Sequence, residues 1–218
     1  MTSLFTALTT NLIWSEGITI LAVVGILASC GIWFNRWFLI IALIVFLFGF
    51  HFFRNPDRTP ALGTTEHTII APADGRIVAI EQIEHPLYTQ KIAIFLSPLD
   101  VHVTRMPSEG IVEKIIYKPG TFTFAWVPKS SELNERNEFT IYSAEHTVRY
   151  EIRQIAGTIA RVIRTFVPEG AILKRGDRCG MIKFGSRVEL LLPPSATISV
   201  EVGDYVYGGH TPIGAWNS

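Results

Sequence analysis

The stretch "MIKFGSRVELLLP", Met181 to Pro193, places a Gly-Ser pair between two runs that have the pattern of β-strands. Apolar residues alternate with other residues on both sides of the pair, which predicts extended chain before and after it. The alternating residues are Ile182 and Phe184 before the pair and Val188, Leu190 and Leu192 after it. An isolated glycine in a strand usually marks a bulge or a close backbone approach. The rest of the chain must decide whether this pair has any further role.

Composition limits the classes of protein that need to be considered. The chain has 218 residues, which is enough for one medium-sized domain and an additional segment. Lys and Arg together number 19, as do Asp and Glu, and this balance gives no indication of nucleic-acid binding. The two cysteines, Cys30 and Cys179, form no disulfide framework. No Cys or His cluster has metal-ligand spacing, so we expect no metal site.

The N-terminal segment is the most apolar part of the chain. Residues 17–35 carry no charge, and residues 37–53 carry only His51. As helices, these runs would each be roughly 26–28 Å long, close to the thickness of a bilayer's hydrocarbon core. They predict a membrane-embedded helical hairpin over residues 1–58, with buried core helices as the alternative. Arg54 and Arg58 follow directly, so the positive-inside tendency places the remainder in the cytoplasm, at the inner membrane.

Residues 59–218 have the pattern of a compact, mainly β domain. Short alternating segments are separated by Gly and Pro about every ten residues, which predicts a β-sandwich or barrel. Two segments, 171–185 and 198–214, repeat an apolar strand, a Gly-Asp turn and a second strand. Such hairpins resemble those of barrel-sandwich hybrid, lipoyl-like folds. This resemblance raises the alternative of a membrane-anchored adaptor or carrier without catalysis, although Lys183 lies within a strand pattern rather than at a hairpin tip.

Three polar segments contain candidate functional residues. Asp74 lies in "APADGRI", where an aspartate usually serves only to form a turn. In "SPLDVHVTRMP", alternation predicts a strand with Asp100 and His102 on one face. The run Ser130 to Phe139, "SSELNERNEF", has the composition of a solvated polar loop. Taken singly, each segment is more typical of structural residues than of catalytic ones.

Together, six segments resemble the phosphatidylserine decarboxylase proenzymes in sequence and in order. The match is to the short branch of that family, in which a hydrophobic N-terminal segment precedes a compact β-domain. It covers most of residues 52–193. The segments are "FFRNPDR", "APADGRI", "DVHVTRMP", "NERN", "QIAGTIARVI" and "FGSRVELLLP".

The resemblance implies a chemical role for the Gly-Ser pair. Decarboxylating an α-amino acid needs an electron sink, normally pyridoxal phosphate. In this family the Ser186 hydroxyl attacks the Gly185 carbonyl, and elimination and hydrolysis then convert Ser186 into a pyruvoyl group. The products would be chains 1–185 and 186–218, held together as a heterodimer. The pyruvoyl carbonyl would form a Schiff base with the serine amine of phosphatidylserine, and loss of CO2 would leave phosphatidylethanolamine.

The resemblance also implies roles for three further residues. Asp74 matches the acidic member of the family's catalytic triad, and His102 is the histidine that falls in a family motif. The longer branch has a second histidine where this chain has Arg105. Two assignments therefore stay open: His102 serves both self-cleavage and decarboxylation, or Arg105 holds a carboxylate or phosphate of the substrate. His146 and His210 are the remaining candidate bases.

Three functions compete on this reading. The first is a self-processing, pyruvoyl-dependent phosphatidylserine decarboxylase that contacts membrane lipids. The second is a pyruvoyl decarboxylase of a soluble amino acid, which the apolar N-terminus disfavours. The third is the non-catalytic adaptor. The sequence leaves the formation of a homo-oligomer open.

Overall fold

The computed structural model describes residues 14–123, 130–157, 162–183 and 186–217. The chain divides into two compact units, which meet in sequence between Asp57 and Arg58. The N-terminal unit contains helices α1 (Trp14–Trp33) and α2 (Trp37–Phe52), and the short helix α3 (Ser130–Leu133) lies in the second unit. The mainly β character predicted for the second unit is confirmed.

The described residues of the second unit contain fourteen strands, and the sequence patterns anticipated most of the long ones. The strands are β1 (Thr68–Ile70), β2 (Gly75–Gln82), β3 (Gln90–Leu96), β4 (Val103–Arg105), β5 (Gly110–Lys118), β6 (Arg136–Ser143), β7 (Val148–Ile155), β8 (Val162–Thr165), β9 (Ile172–Leu173), β10 (Arg178–Lys183), β11 (Ser186–Leu192), β12 (Ala196–Ile198), β13 (Tyr205–Val206) and β14 (Pro212–Trp216).

The two helices of the N-terminal unit form an antiparallel hairpin. Gly31 near the end of α1 lies against Leu39 of α2, where an added Cβ would be 2.6 Å from the leucine side chain. At the other end of the hairpin, Gly49 packs against Ile20, and Gly17 lies against Phe53. Small residues thus allow the helices to approach closely, and large apolar side chains face outward. No helix within the described ranges is long and apolar enough to span a membrane.

The fourteen described strands are arranged in three antiparallel sheets. A curled eight-stranded sheet has the order β13-β2-β3-β11-β7-β6-β5-β9. Two three-stranded sheets have the orders β4-β10-β8 and β1-β14-β12. The two predicted Gly-Asp turns are present and alike: Asp177 and Asp204 each accept a hydrogen bond from the backbone N–H three residues earlier, at 2.8 and 2.9 Å. The preceding glycines both have positive φ. The prediction that each turn closes a hairpin is wrong, because the flanking strands pair with other strands: β9 with β5, β10 with β4 and β8, β12 with β14, and β13 with β2.

Strand β11 carries apolar residues on one face and charged residues on the other. Val188, Leu190 and Leu192 belong to the hydrophobic core, and Ser186 shares their side of the strand. On the opposite face, Arg187 Nε donates to Glu189 Oε1 at 2.9 Å, and both side chains are buried. A register slip of one residue would move this ion pair into the core at a large cost in free energy. The register of β11 is therefore fixed, and with it the direction of the Ser186 side chain.

The polar run Ser130–Phe139 is not the solvated loop that its composition predicts. It begins as helix α3 and continues into strand β6. Asn134 is fully buried because its amide group bonds to the carbonyls of Thr123 and Ala156, at 2.8 and 2.7 Å. Glu138 is buried beside Arg136 and Lys118, each 2.8 Å away. Composition alone did not reveal these partners, which satisfy the polar groups on burial.

Candidate active site

Two neighbouring segments connect the eight-stranded sheet with the sheet β4-β10-β8. The chain leaves β3 at Leu96 and enters β4 at Val103, and it leaves β10 at Lys183 and enters β11 at Ser186. Because Ser186 pairs with Leu96 and Met181 pairs with Val103, the strand ends that flank the two crossovers lie side by side. Ser186 is therefore the first residue of a strand in one sheet, and the preceding described strand, β10, belongs to another sheet.

Ser186 begins β11 directly at this crossover. It pairs with Leu96 of β3, and the residue is fully buried. Its hydroxyl has no hydrogen-bond partner among the described residues. Buried polar atoms are normally paired, so a buried free hydroxyl at a strand end is a candidate reactive group. Gly185, the predicted site of attack, lies outside the described residues.

His102 lies in the other crossover, and it precedes β4 rather than forming part of a strand as the alternation predicts. Its ring Nδ1 is 2.9 Å from the Asp100 carbonyl oxygen. A carbonyl only accepts, so Nδ1 carries the hydrogen and Nε2 of the neutral ring is the basic nitrogen. The His102 carbonyl accepts from Ile182 N at 3.2 Å, which ties this residue to the strand that leads into the Gly-Ser pair.

Asp74 lies at the same end of the large sheet. Arg76 of β2 pairs with Phe95 of β3, and Phe95 pairs with Arg187 of β11. One position nearer this end of the antiparallel strands lie Gly75, Leu96 and Ser186. Neighbouring strands are about 4.8 Å apart, which puts the start of β2 roughly 10 Å from β11. Gly75 has a φ of 146°, and an added Cβ would overlap the Phe95 carbonyl. Glycine thus permits the close approach that positions Asp74.

The Asp74 carboxylate is buried and has two donors. Arg58 Nη2 lies 2.9 Å from Oδ2, and the Gly208 N–H donates to Oδ1 at 2.7 Å. Burial raises the pKa of Asp74 above its ordinary value, and the Arg58 guanidinium opposes this only in part. Since His102 Nδ1 is bonded to a backbone carbonyl, Asp74 contributes a buried negative charge rather than the Nδ1 hydrogen bond of a Ser-His-Asp triad.

Arg105 lies at the end of β4 and is largely buried. Its Nη1 donates to the Gly176 carbonyl at 3.0 Å, and its own N–H donates to Pro72 at 2.8 Å. A Cβ at Gly209 would lie 2.7 Å from Arg105 Cδ and 3.3 Å from Arg58 Cβ. The side chains of these two arginines therefore flank the same glycine, and Arg58 is also the ion-pair partner of Asp74.

Arg58 is a residue of this site that the sequence analysis did not assign to the site. The sequence indicated only a basic residue after the apolar N-terminus, with a role in topology or lipid attraction. In the structure its guanidinium binds Asp74 and also stacks over Tyr207, 5.3 Å from the ring centre. The signal that could have identified it was its position in "FFRNPDR", one of the six segments.

The alternative bases have other partners. His210 Nδ1 lies 2.7 Å from the Thr59 carbonyl. His146 lies in the β6–β7 turn, where its ring packs against His67 and Trp216. Neither residue lies in the crossover segments, so His102 is the candidate base for Ser186.

A buried serine and a histidine with an oriented ring on neighbouring crossovers define a candidate nucleophile–base site. Comparison with known proteins identifies the family of this chain. The model of the phosphatidylserine decarboxylase family matches residues 45–214. Several relatives are named phosphatidylserine decarboxylase proenzyme. That of Salinibacter ruber is 42% identical over 86% of this chain and 86% of its own length. That of Carboxydothermus hydrogenoformans is 42% identical over 92% of this chain and 95% of its own length. That of Syntrophus aciditrophicus is 40% identical over 92% of this chain and 96% of its own length. The chain belongs to the phosphatidylserine decarboxylase family, which confirms the resemblance found in the sequence.

The raised pKa of Asp74 predicts a pH-dependent effect on stability. The folded state holds this proton more tightly than the unfolded state, whose pKa is near 3.8. The contribution of protonated Asp74 to the free energy of unfolding is therefore fully present below pH 3.8, and it is lost as the pH rises through the pKa of the folded state. In a Ser186→Ala chain, we expect Asp74→Asn to raise the thermal unfolding midpoint at pH 7, with the gain shrinking towards about pH 4.

Asp177→Asn is the matched control, because Asp177 is an exposed turn carboxylate. It should give no comparable gain at pH 7. A lower midpoint for Asp74→Asn than for the parent at pH 7 would contradict the assignment of a net cost to the buried charge.

Proposed function

We propose that this protein decarboxylates phosphatidylserine to phosphatidylethanolamine and CO2, using a pyruvoyl group made from Ser186. Membership of the family supports the reaction and the proenzyme form. The observation that carries the proposal for this chain is the Ser186 hydroxyl, which is buried and has no hydrogen-bond partner among the described residues. Ser186 pairs with Leu96, the last residue of β3 before the crossover that carries His102. This arrangement fits a residue that reacts with its own backbone.

Self-cleavage begins at the Ser186 hydroxyl. Oγ attacks the Gly185 carbonyl carbon, and His102 Nε2 takes the hydroxyl proton. The peptide becomes an ester, and removal of the α-proton of residue 186 then breaks that ester by β-elimination. Hydrolysis of the resulting dehydroalanine releases ammonia and leaves the pyruvoyl group on chain 186–218. Glycine at 185 leaves the attacked carbonyl uncrowded because it has no Cβ.

The strand order supports a stable two-chain product. Strand β11 is hydrogen-bonded to β3 on one side and β7 on the other, and both neighbours belong to chain 1–185. Strands β13 and β14 of the small chain pair with β2 and β1 of the large chain. Cleavage before β11 therefore leaves the new chain end held within the sheet, and the two chains remain a heterodimer.

In the mature enzyme the pyruvoyl carbonyl supplies the electron sink for loss of CO2. His102 Nε2, which held the serine proton during cleavage, returns a proton to the α-carbon of the product. Asp74 contributes negative charge that favours the protonated ring. Arg105, which flanks Gly209 together with Arg58, binds the phosphate or carboxylate of the lipid head group.

The N-terminal unit is proposed to embed in the inner membrane, with the catalytic unit in the cytoplasm. Large apolar side chains of the hairpin are strongly exposed, for example Ile32 at 76%, Trp33 at 81% and Phe34 at 83%. Contact between these apolar side chains and lipid chains costs little free energy, whereas their exposure to water is unfavourable. Embedding this hairpin keeps the catalytic unit, which is part of the same chain, near a lipid substrate.

Substitution of Ser186 tests the origin of the two chains. Wild-type protein is expected to run as two pieces of chain 1–185 and chain 186–218 on a denaturing gel. Ser186→Ala lacks the attacking oxygen and should stay whole and inactive. Ser186→Thr and Ser186→Cys keep a nucleophile and should cleave more slowly. An active preparation that remains one full-length chain would refute self-processing and favour another chemistry, and an inactive intact wild type would favour the adaptor.

Substitution of His102 and Arg105 separates cleavage from substrate binding. Loss of general acid–base assistance typically costs about 10²–10⁴-fold, so His102→Ala should accumulate whole proenzyme, and the fraction that matures should turn over slowly. Arg105→Ala should mature normally and mainly raise KM. His85→Ala is the matched control, because His85 is exposed and stacks on Tyr88 away from the crossovers. Wild-type cleavage and turnover in His102→Ala would remove His102 from the site.

Cysteine labelling tests the proposed topology. In a Cys30→Ser background, Thr65→Cys should resist a membrane-impermeant thiol reagent in intact cells and react after permeabilisation. Cys179 is buried, so the background variant without Thr65→Cys measures its contribution. Labelling of residue 65 from outside intact cells would contradict a cytoplasmic catalytic unit.

A further inference from the structure

A short segment of the small chain contacts both carboxylates of the site. The Gly208 N–H donates to Asp74 Oδ1 at 2.7 Å, and the Tyr205 hydroxyl donates to Asp100 Oδ1 at 2.5 Å. Asp74 and Asp100 belong to chain 1–185, whereas Tyr205 and Gly208 belong to chain 186–218. The two product chains are therefore joined at the site by hydrogen bonds to buried acids.

Asp100 organises the crossover that carries His102. Its Oδ2 accepts from Ser97 N at 2.7 Å, and its own N–H donates to the Ser97 carbonyl at 2.9 Å, which closes a tight turn directly after β3. The carbonyl of the same residue accepts the Nδ1 hydrogen of His102. A change in the position of Asp100 would therefore move the hydrogen-bond acceptor that orients the histidine ring.

Tyr205 provides the donor to the remaining oxygen of this carboxylate. It lies in β13 and pairs with Arg76 of β2, which directly follows Asp74 and Gly75 in the sequence. Asp100 is almost fully buried, so an oxygen without a donor would carry a large desolvation cost. Burial, together with the bond to Asp100, raises the pKa of Tyr205, which keeps its hydroxyl protonated as a donor at neutral pH.

We propose that Tyr205 is a positioning residue for both self-cleavage and decarboxylation: its hydroxyl holds the Asp100 turn, and the Asp100 carbonyl thereby holds His102 with hydrogen on Nδ1 and Nε2 as the base. The inference rests on the proposed function. The small chain thus supplies Ser186 and also helps to hold the base that acts on it.

The test compares Tyr205→Phe with Tyr117→Phe. Phenylalanine keeps the ring that packs on Tyr207 and removes only the hydroxyl. Tyr117 is the matched control because it is an exposed tyrosine on β5 whose hydroxyl also bonds a carboxylate, that of Glu135. Loss of a hydrogen bond to a charged group corresponds to a rate factor of about tenfold or more. We expect Tyr205→Phe to slow self-cleavage and lower kcat by at least about tenfold, with KM within about twofold of wild type and Tyr117→Phe unaffected.

A double-mutant cycle shows whether the effect passes through Asp100. In an Asp100→Ala background the Tyr205 hydroxyl has lost its acceptor, so Tyr205→Phe should cause little further change in kcat. Independent, additive effects would overturn the inference. Equal rates for Tyr205→Phe and wild type would also overturn it, and a wild-type chain that never cleaves would instead refute the proposed function.

A spectroscopic measurement covers the case in which a variant loses stability. In ¹⁵N-histidine-labelled Ser186→Ala proenzyme, His102 should show the tautomer with hydrogen on Nδ1. Adding Tyr205→Phe should convert this signal to a mixture of tautomers, whereas adding Tyr117→Phe should not. An unchanged His102 signal in the Tyr205→Phe chain would show that the tyrosine does not position the histidine.

Discussion

The passage of the chain between two sheets at two adjacent points is the constraint on which the site depends. Within each sheet the backbone groups pair along the strands, whereas a segment that passes from one sheet to another loses this ladder. In this protein the strand ends that flank the β3–β4 and β10–β11 crossovers lie side by side, because β3 pairs with β11 and β4 pairs with β10. One crossover carries His102, and the other ends at Ser186. The antiparallel pairing thus brings together residues that are 84 positions apart in the sequence.

The orientation of Ser186 follows from the two different faces of β11. Its apolar side chains fill the core on one side, and the buried pair of Arg187 and Glu189 occupies the other. Shifting the strand by one residue would bury charges among apolar side chains, so the register is strongly specified. The same pairing with β3 and β7 would retain the chain end after cleavage. The direction of the Ser186 side chain and the retention of the new chain end therefore both follow from the central position of β11.

The sequence predicted the mainly β unit and most long strands because their alternation is local. Ser186, His102 and Asp74 were identified through motifs shared with a family, which composition and periodicity would not have revealed. The pairing of Arg58 with Asp74 joins residues 16 positions apart, and that of Tyr205 with Asp100 joins residues 105 apart. Such contacts arise only when the strands assemble. The same reason explains Ser130–Phe139, where polar residues looked solvated but are buried with partners from other segments.

Mass spectrometry of chain 186–218 tests the central claim most directly. If Ser186 attacks the preceding carbonyl and becomes a pyruvoyl group, the purified small chain is lighter than the same peptide beginning with serine by the mass of one ammonia. It should also react with a carbonyl reagent and resist sequential degradation from its N-terminus. A small chain that begins with unmodified serine would show ordinary peptide hydrolysis at this bond, and would contradict the account of the crossover as a self-processing site.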